Sequence, residues 1–118
     1  MATNRKYESG KQLAVACTAP ATPSSGDPVL FGQRPGVALT DEDAAGLTTV
    51  QFDGVFDLSV QAVNNGGNSA VAAGDKLYYE AGQTPVLNKD NVSGVFFGYA
   101  KEAILEGATA TIEVIVGY

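Results

Sequence analysis

Short apolar runs broken by glycine and proline constrain this chain more than any other feature. Residues 35–58, PGVALTDEDAAGLTTVQFDGVFDL, show the pattern. Each run is long enough for a strand, and few are long enough for a helix. The last run, TATIEVIVGY, puts Ile112, Val114, Val116 and Tyr118 on one face and Ile115 on the other. Leu13, Val15 and Cys17 alternate with alanines. Leu77 and Tyr79 share a face opposite Lys76, Tyr78 and Glu80. Val95, Phe97 and Tyr99 share a face opposite Phe96. This is the two-residue period of half-buried strands.

The spacing of turns predicts an all-β fold. It is a compact small sandwich or barrel of about eight to ten short strands. Residues 13–118 form a single β-domain, and residues 1–12 an extended polar N-terminal arm. At 118 residues, with 14 glycines and 45% apolar residues, the chain has enough material for one core and many turns. Local exceptions are expected. Thr40 or Asp41 is placed to cap one helical turn, and AKEAILEG (100–107) has helix-favouring composition over about two turns. GQRPG (32–36) reads as a turn and NNGGNS (64–69) as an exposed tip.

Asp53-Gly54 is a hairpin signal between residues 47–52 and 55–60. A two-residue loop would put Asp57 on the apolar face. Pairing Phe52 with Phe56, and Val50 with Leu58, keeps that face whole and needs a longer or bulged connection. The alternative is that the two strands belong to different sheets.

Charge is unevenly placed. Net charge is −6. The arm holds Arg5, Lys6 and Lys11 against Glu8, while the rest holds 4 of the 7 basic and 12 of the 13 acidic residues. An acidic body disfavours nucleic acid. A basic arm on that body is an interaction device or a solvated tail, and Tyr7 within it is a candidate anchor. No run suits a membrane span. Cys17 is the single cysteine, so no internal disulfide forms, and it reads as a small buried thiol. The sequon Asn91-Val92-Ser93 carries no weight without a secretion signal.

Motifs for chemistry are missing. The chain has no histidine, no G-x-S-x-G elbow and no Walker loop. Asp41, Glu42 and Asp43 are consecutive, unlike the alternating ligands of a calcium loop, and read as a solvated acidic turn. Asp53 and Asp57 are the nearest to a carboxylate pair, and read more simply as turn and edge residues. The expectation is a protein that is not an enzyme, with no catalytic residue, cofactor or metal.

The order of pieces carries a resemblance. Gly36-Val37-Ala38, Gly54-Val55-Phe56, Gly74-Asp75-Lys76-Leu77-Tyr78-Tyr79 and Gly98-Tyr99-Ala100 follow an arm containing YESGK. Together they resemble small phage head proteins once filed as a domain of unknown function and now regarded as capsid decoration, or cement, proteins. Some relatives carried a recombinase label, which the missing Walker loop argues against. The resemblance covers nearly the whole chain and implies a structural virion protein made in the host cytoplasm. It would sit on the outer surface of an icosahedral capsid and clamp adjacent major capsid protein subunits. It implies a homotrimer, with a homodimer in some relatives. On this reading Arg5, Lys6, Tyr7, Glu8 and Lys11 are the expected capsid-binding residues. Tyr78, Phe96 and Ile115, which face away from the predicted core, are the expected interface between copies. The alternative is a glycan- or receptor-binding β module on the virion, using an aromatic platform of Tyr78, Tyr79 or Tyr118.

Overall fold

The computed structural model describes residues 12–64, 67–83 and 85–116. Among them no helix forms, and the strands fall into two main groups. β1 (Gln12–Val15), β2 (Pro28–Phe31), β3 (Arg34–Ala38) and β4 (Thr48–Gln51) make an antiparallel sheet in the order β1-β4-β3-β2. β5 (Gly54–Gln61) starts the second group. β6 (Val63–Asn64) and β7 (Gly67–Asn68) pair only with each other. β8 (Lys76–Tyr79), β9 (Leu87–Asn88), β10 (Val95–Ala100) and β11 (Thr109–Val116) join β5 in a closed barrel, in the order β10-β11-β5-β9-β8. The all-β expectation holds, with a barrel and a sheet side by side.

The Asp53-Gly54 hairpin does not form. β4 and β5 lie in different groups, the alternative left open by the sequence. Val50 pairs with Leu13 and Ala38, and Leu58 pairs with Ile112. The reason is length of match. β5 and β11 pair antiparallel along their whole extent, from Gly54 with Val116 to Gln61 with Thr109. A short local hairpin with β4 offers fewer cross-strand pairs. Gly54, at φ +111°, turns the chain from one group into the other.

Two apolar clusters result. The barrel encloses Leu58, Val60, Leu77, Tyr79, Leu87, Phe97, Ile112, Val114 and Val116. Leu77, Leu87 and Phe97 are fully buried, each contributing about 1.5–3 kcal/mol of transfer free energy. The second cluster holds Val29, Ala38, Val50 and Phe52, with Leu13, Val15 and Cys17 packed on it. The β2–β3 hairpin binds the two together. Leu30 and Val37 enter the barrel cluster, while Val29 and Ala38 enter the other. Successive side chains point to opposite faces, so one hairpin serves both cores. Ala19 and Leu30 exchange backbone hydrogen bonds, which ties the chain after β1 to the far edge of the sheet.

Three local expectations are corrected. GQRPG is a turn only at Gly32 and Gln33; Arg34 and Pro35 already belong to β3. Gly32, first of the two loop residues at φ +64°, meets the positive φ that a primed hairpin turn needs there. Residues 40–46 form no helical turn. The AKEAILEG helix is absent as well: Ile104 is buried, and it exchanges backbone hydrogen bonds with Val71 at 2.9 Å each way. A two-turn helix is marginal alone, so this tertiary bridge wins.

Gly98 is held by close approach. A Cβ there would run into the Ile115 carbonyl oxygen on β11, which is backbone and cannot yield cheaply. Gly98→Ala is expected to lower stability by about 1–3 kcal/mol, as overpacking does. Urea unfolding followed by fluorescence checks it, and unchanged stability would show that the two strands can move apart.

Candidate functional site

Asp41 ties its loop to the one before β2, and Asp43 shapes its own loop. Asp41 Oδ1 accepts the Ser25 N–H at 2.8 Å. Asp43 Oδ1 accepts the N–H groups of Ala45 and Leu47, both at 2.9 Å. Neighbouring N–H groups are close enough to compete with helix formation here, and the backbone turns back on Asp43 instead. Asp57 is exposed on β5, directly opposite Glu113, and Asp53 sits at the passage between the two strand groups. Among the described residues no cluster of metal-ligating side chains and no concave pocket is present.

Cys17 packs half-buried against the second cluster, where burial pushes its thiol up in pKa. Burial likewise pushes up the Tyr79 hydroxyl. Tyr79 is 3% exposed, with its ring centroid 6.4 Å from that of Phe97, so it belongs to the core and to no aromatic platform. Tyr118 lies outside the described residues.

The most distinctive surface is the outer wall of the barrel. Tyr78, Phe96 and Ile115 are all brought to it. Tyr78 on β8 pairs with Phe96 on β10, their ring centroids 6.0 Å apart and edge to face. Phe96 meets Tyr99 in the same manner at 5.4 Å. Tyr99 pairs with Ile115 on β11, and Ile115 pairs with Val55 on β5. Edge-to-face packing of this kind favours order among the rings.

Tyr99 and Val55 were not expected there. Simple alternation puts Tyr99 with Val95 and Phe97, inside. The structure puts it outside because the β8–β10 register slips between Phe96 and Gly98. That irregularity leaves Phe97 as an extra residue and shifts every later side chain to the other face. Phe97 and Ala100 are then buried, and Tyr99 is not. The glycine beside the slip, Gly98, is the one sequence signal that pointed to it.

A polar turn supports one end of this wall. Asp90 is 4% exposed, and its Oδ1 accepts the N–H groups of Val92 at 2.9 Å and Ser93 at 3.1 Å. Asn88 Oδ1 accepts the Asp90 N–H, and Asn88 Nδ2 donates to Glu80 Oε1, both at 2.9 Å. The turn leads through Gly94 into β10. A Cβ on Gly94 would strike the Asp90 carbonyl and the Tyr78 side chain, so the turn lies tight against Tyr78. Next to Asp90, Lys89 bridges Asp75 at 3.1 Å and the Ala70 carbonyl at 2.8 Å. Arg5, Lys6, Tyr7, Glu8 and Lys11 lie outside the described residues.

Among the described residues the body shows no pocket and carries an organised aromatic wall. The family model for phage cement protein matches residues 7–116, and the chain belongs to that family. Membership implies a structural, stabilising role on the phage capsid. Searches of curated proteins and of solved structures return no match.

The Ser93 and Val92 N–H groups hold the Asp90 carboxyl below the usual aspartate range. A depressed folded-state pKa adds stability above the unfolded value of about 4, and this is lost as pH falls through the folded value. Asp90→Ala is therefore expected to be less stable than the wild type at neutral pH. The gap should narrow once pH drops below about 4. Thermal midpoints measured from neutral to acid pH check it; a gap constant across the range would remove Asp90 from the acid response.

Proposed function

We propose that the protein binds the exterior of an icosahedral phage capsid and clamps neighbouring major capsid protein subunits. The observation that carries this reading is the family match, which spans the whole β body and reaches back to Tyr7 in the arm. The remaining features are consistent with it. β9 joins β5 to β8 and closes the barrel, covering part of each of those edges, as suits a module exposed in many copies. The basic arm and the acidic body have the opposite charges that a clamp between subunits can use. Individual contacts need only be modest, because many copies act on one shell.

In this reading Arg5, Lys6, Tyr7, Glu8 and Lys11 make the capsid contact. Residues 1–11 precede β1, so removing them deletes no residue of the described strands. The test is co-sedimentation with expanded, undecorated heads of the phage that encodes the protein. The full chain is expected to bind saturably at a fixed ratio to the major capsid protein. The chain lacking residues 1–11 is expected to bind at least about tenfold more weakly, the effect of losing an anchor. Equal binding by the shortened chain would remove the arm from the clamp. No binding by the full chain would overturn the capsid reading and direct attention to glycan partners.

A further inference from the structure

The four-stranded sheet ends in two unlike edges. At β2 the outer side is covered: Thr18 and Ala19 donate their N–H groups to the Leu30 carbonyl, and the Ala19 carbonyl accepts from Leu30. At β1 no strand lies outside Gln12–Val15 among the described residues. Which of its backbone groups are spare follows from the register. Leu39 donates to the Thr49 carbonyl at 2.8 Å, so Thr49 serves β3. Successive residues of an antiparallel strand point their backbone groups to opposite edges. Thr48 and Val50 therefore serve β1, where they meet Val15 and Leu13. Gln12 and Ala14 turn their N–H and C=O groups outward. Native edges are commonly blunted by charge, proline or a bulge. Residues 12–17, QLAVAC, hold neither a charge nor a proline, and the β1–β4 register is unbroken. The second cluster is open on this side too. Val29, Ala38, Val50 and Phe52 are at most 3% exposed, whereas Leu13, Val15 and Cys17 are only half-buried.

We infer that β1 is an acceptor edge, which takes one extended segment of the major capsid protein as a fifth strand of the sheet. The inference rests on the capsid reading and names the contact that the body itself makes in it. Main-chain pairing with Gln12 and Ala14 holds the segment, and its apolar side chains at alternate positions cover Leu13, Val15 and Cys17. Continuity favours a segment of the shell, because the arm read above as the capsid contact runs directly into Gln12. Charge favours a partner that carries acid. Arg34 stands at the same cluster, its guanidinium 4.6 Å from the centre of the Phe52 ring, and it has no ion-pair partner among the described residues. A carboxylate on the incoming strand answers it. The chain's own arm, folded back, would bring the three cations Arg5, Lys6 and Lys11 against the one acid Glu8, and β1 of a second copy would bring no acid.

The test uses the full-length protein and expanded, undecorated heads of its phage. Ala14→Pro removes an outward N–H that makes no bond within the sheet, on an edge where proline is tolerated. Ala14→Ser keeps that N–H. In co-sedimentation Ala14→Pro is expected to bind at least about tenfold more weakly than the wild type, and Ala14→Ser to bind as the wild type does. Equal thermal midpoints show that both variants are folded. Hydrogen exchange on the wild type needs no variant. The Gln12 and Ala14 amides are expected to exchange about tenfold or more slowly on heads than in the free protein. A folded Ala14→Pro that binds normally overturns the inference, and so does unchanged exchange at β1 on heads. Protection already present in the free protein overturns it too. Its loss on dilution would assign the edge to a second copy, and its loss on removal of residues 1–11 would assign it to the arm. A wild type that does not bind heads at all would sink the capsid reading, and this inference with it.

Discussion

The pairing of β5 with β11 is the interaction on which the rest of the structure depends. It joins residues 48 to 62 apart in sequence through an unbroken antiparallel register from Gly54 with Val116 to Gln61 with Thr109. Closing so long a loop costs entropy, and the length of the match offsets it. Once these strands are joined, Leu58, Val60, Ile112 and Val114 all line the interior, and the barrel can close through β9, β8 and β10. The same pairing takes β5 away from β4. That frees Phe52 and Val50 to build the second cluster under β2 and β3. The two-cluster body follows from one long-range choice.

The register slip in β10 is the second decision. It keeps Phe97 in the barrel and sends Tyr99 outward beside Phe96. Without it the outer wall would lack the ring that links Phe96 to Ile115. The Asp90 turn fixes where β10 begins and lies against Tyr78, so the polar network and the aromatic wall are parts of one construction. This order is what a contact surface needs, since rigid aromatic groups lose little freedom on being covered.

Membership of the phage cement family implies a structural, stabilising role on the capsid, whose physical demands differ from those of catalysis. Stability and a defined surface matter more than a cleft. Asp41, Asp43 and Asp90 illustrate the difference. Acidic side chains that elsewhere bind metals or move protons here accept backbone N–H groups and shape loops.

Much of the fold was legible in local sequence. The alternation of Leu77 and Tyr79, and of Ile112, Val114 and Val116, correctly marked strands and their buried faces, because side chains in a strand alternate strictly. The outward placement of Tyr78, Phe96 and Ile115 was readable for the same reason. Partner choice was not readable. Asp53-Gly54 looked like a hairpin, and AKEAILEG like a helix, because both signals are local, and the long-range pairings with β11 and Val71 outweighed them. Tyr99 was missed at the wall because a register slip leaves only a glycine as its trace, and Val55 because its place beside Ile115 depends on the long-range β5–β11 pairing. The sequence by itself determined a chain of short strands with these buried faces. Only the tertiary structure decided which strands meet, and therefore which outer residues form one surface, because that depends on cross-strand match between segments far apart in the chain.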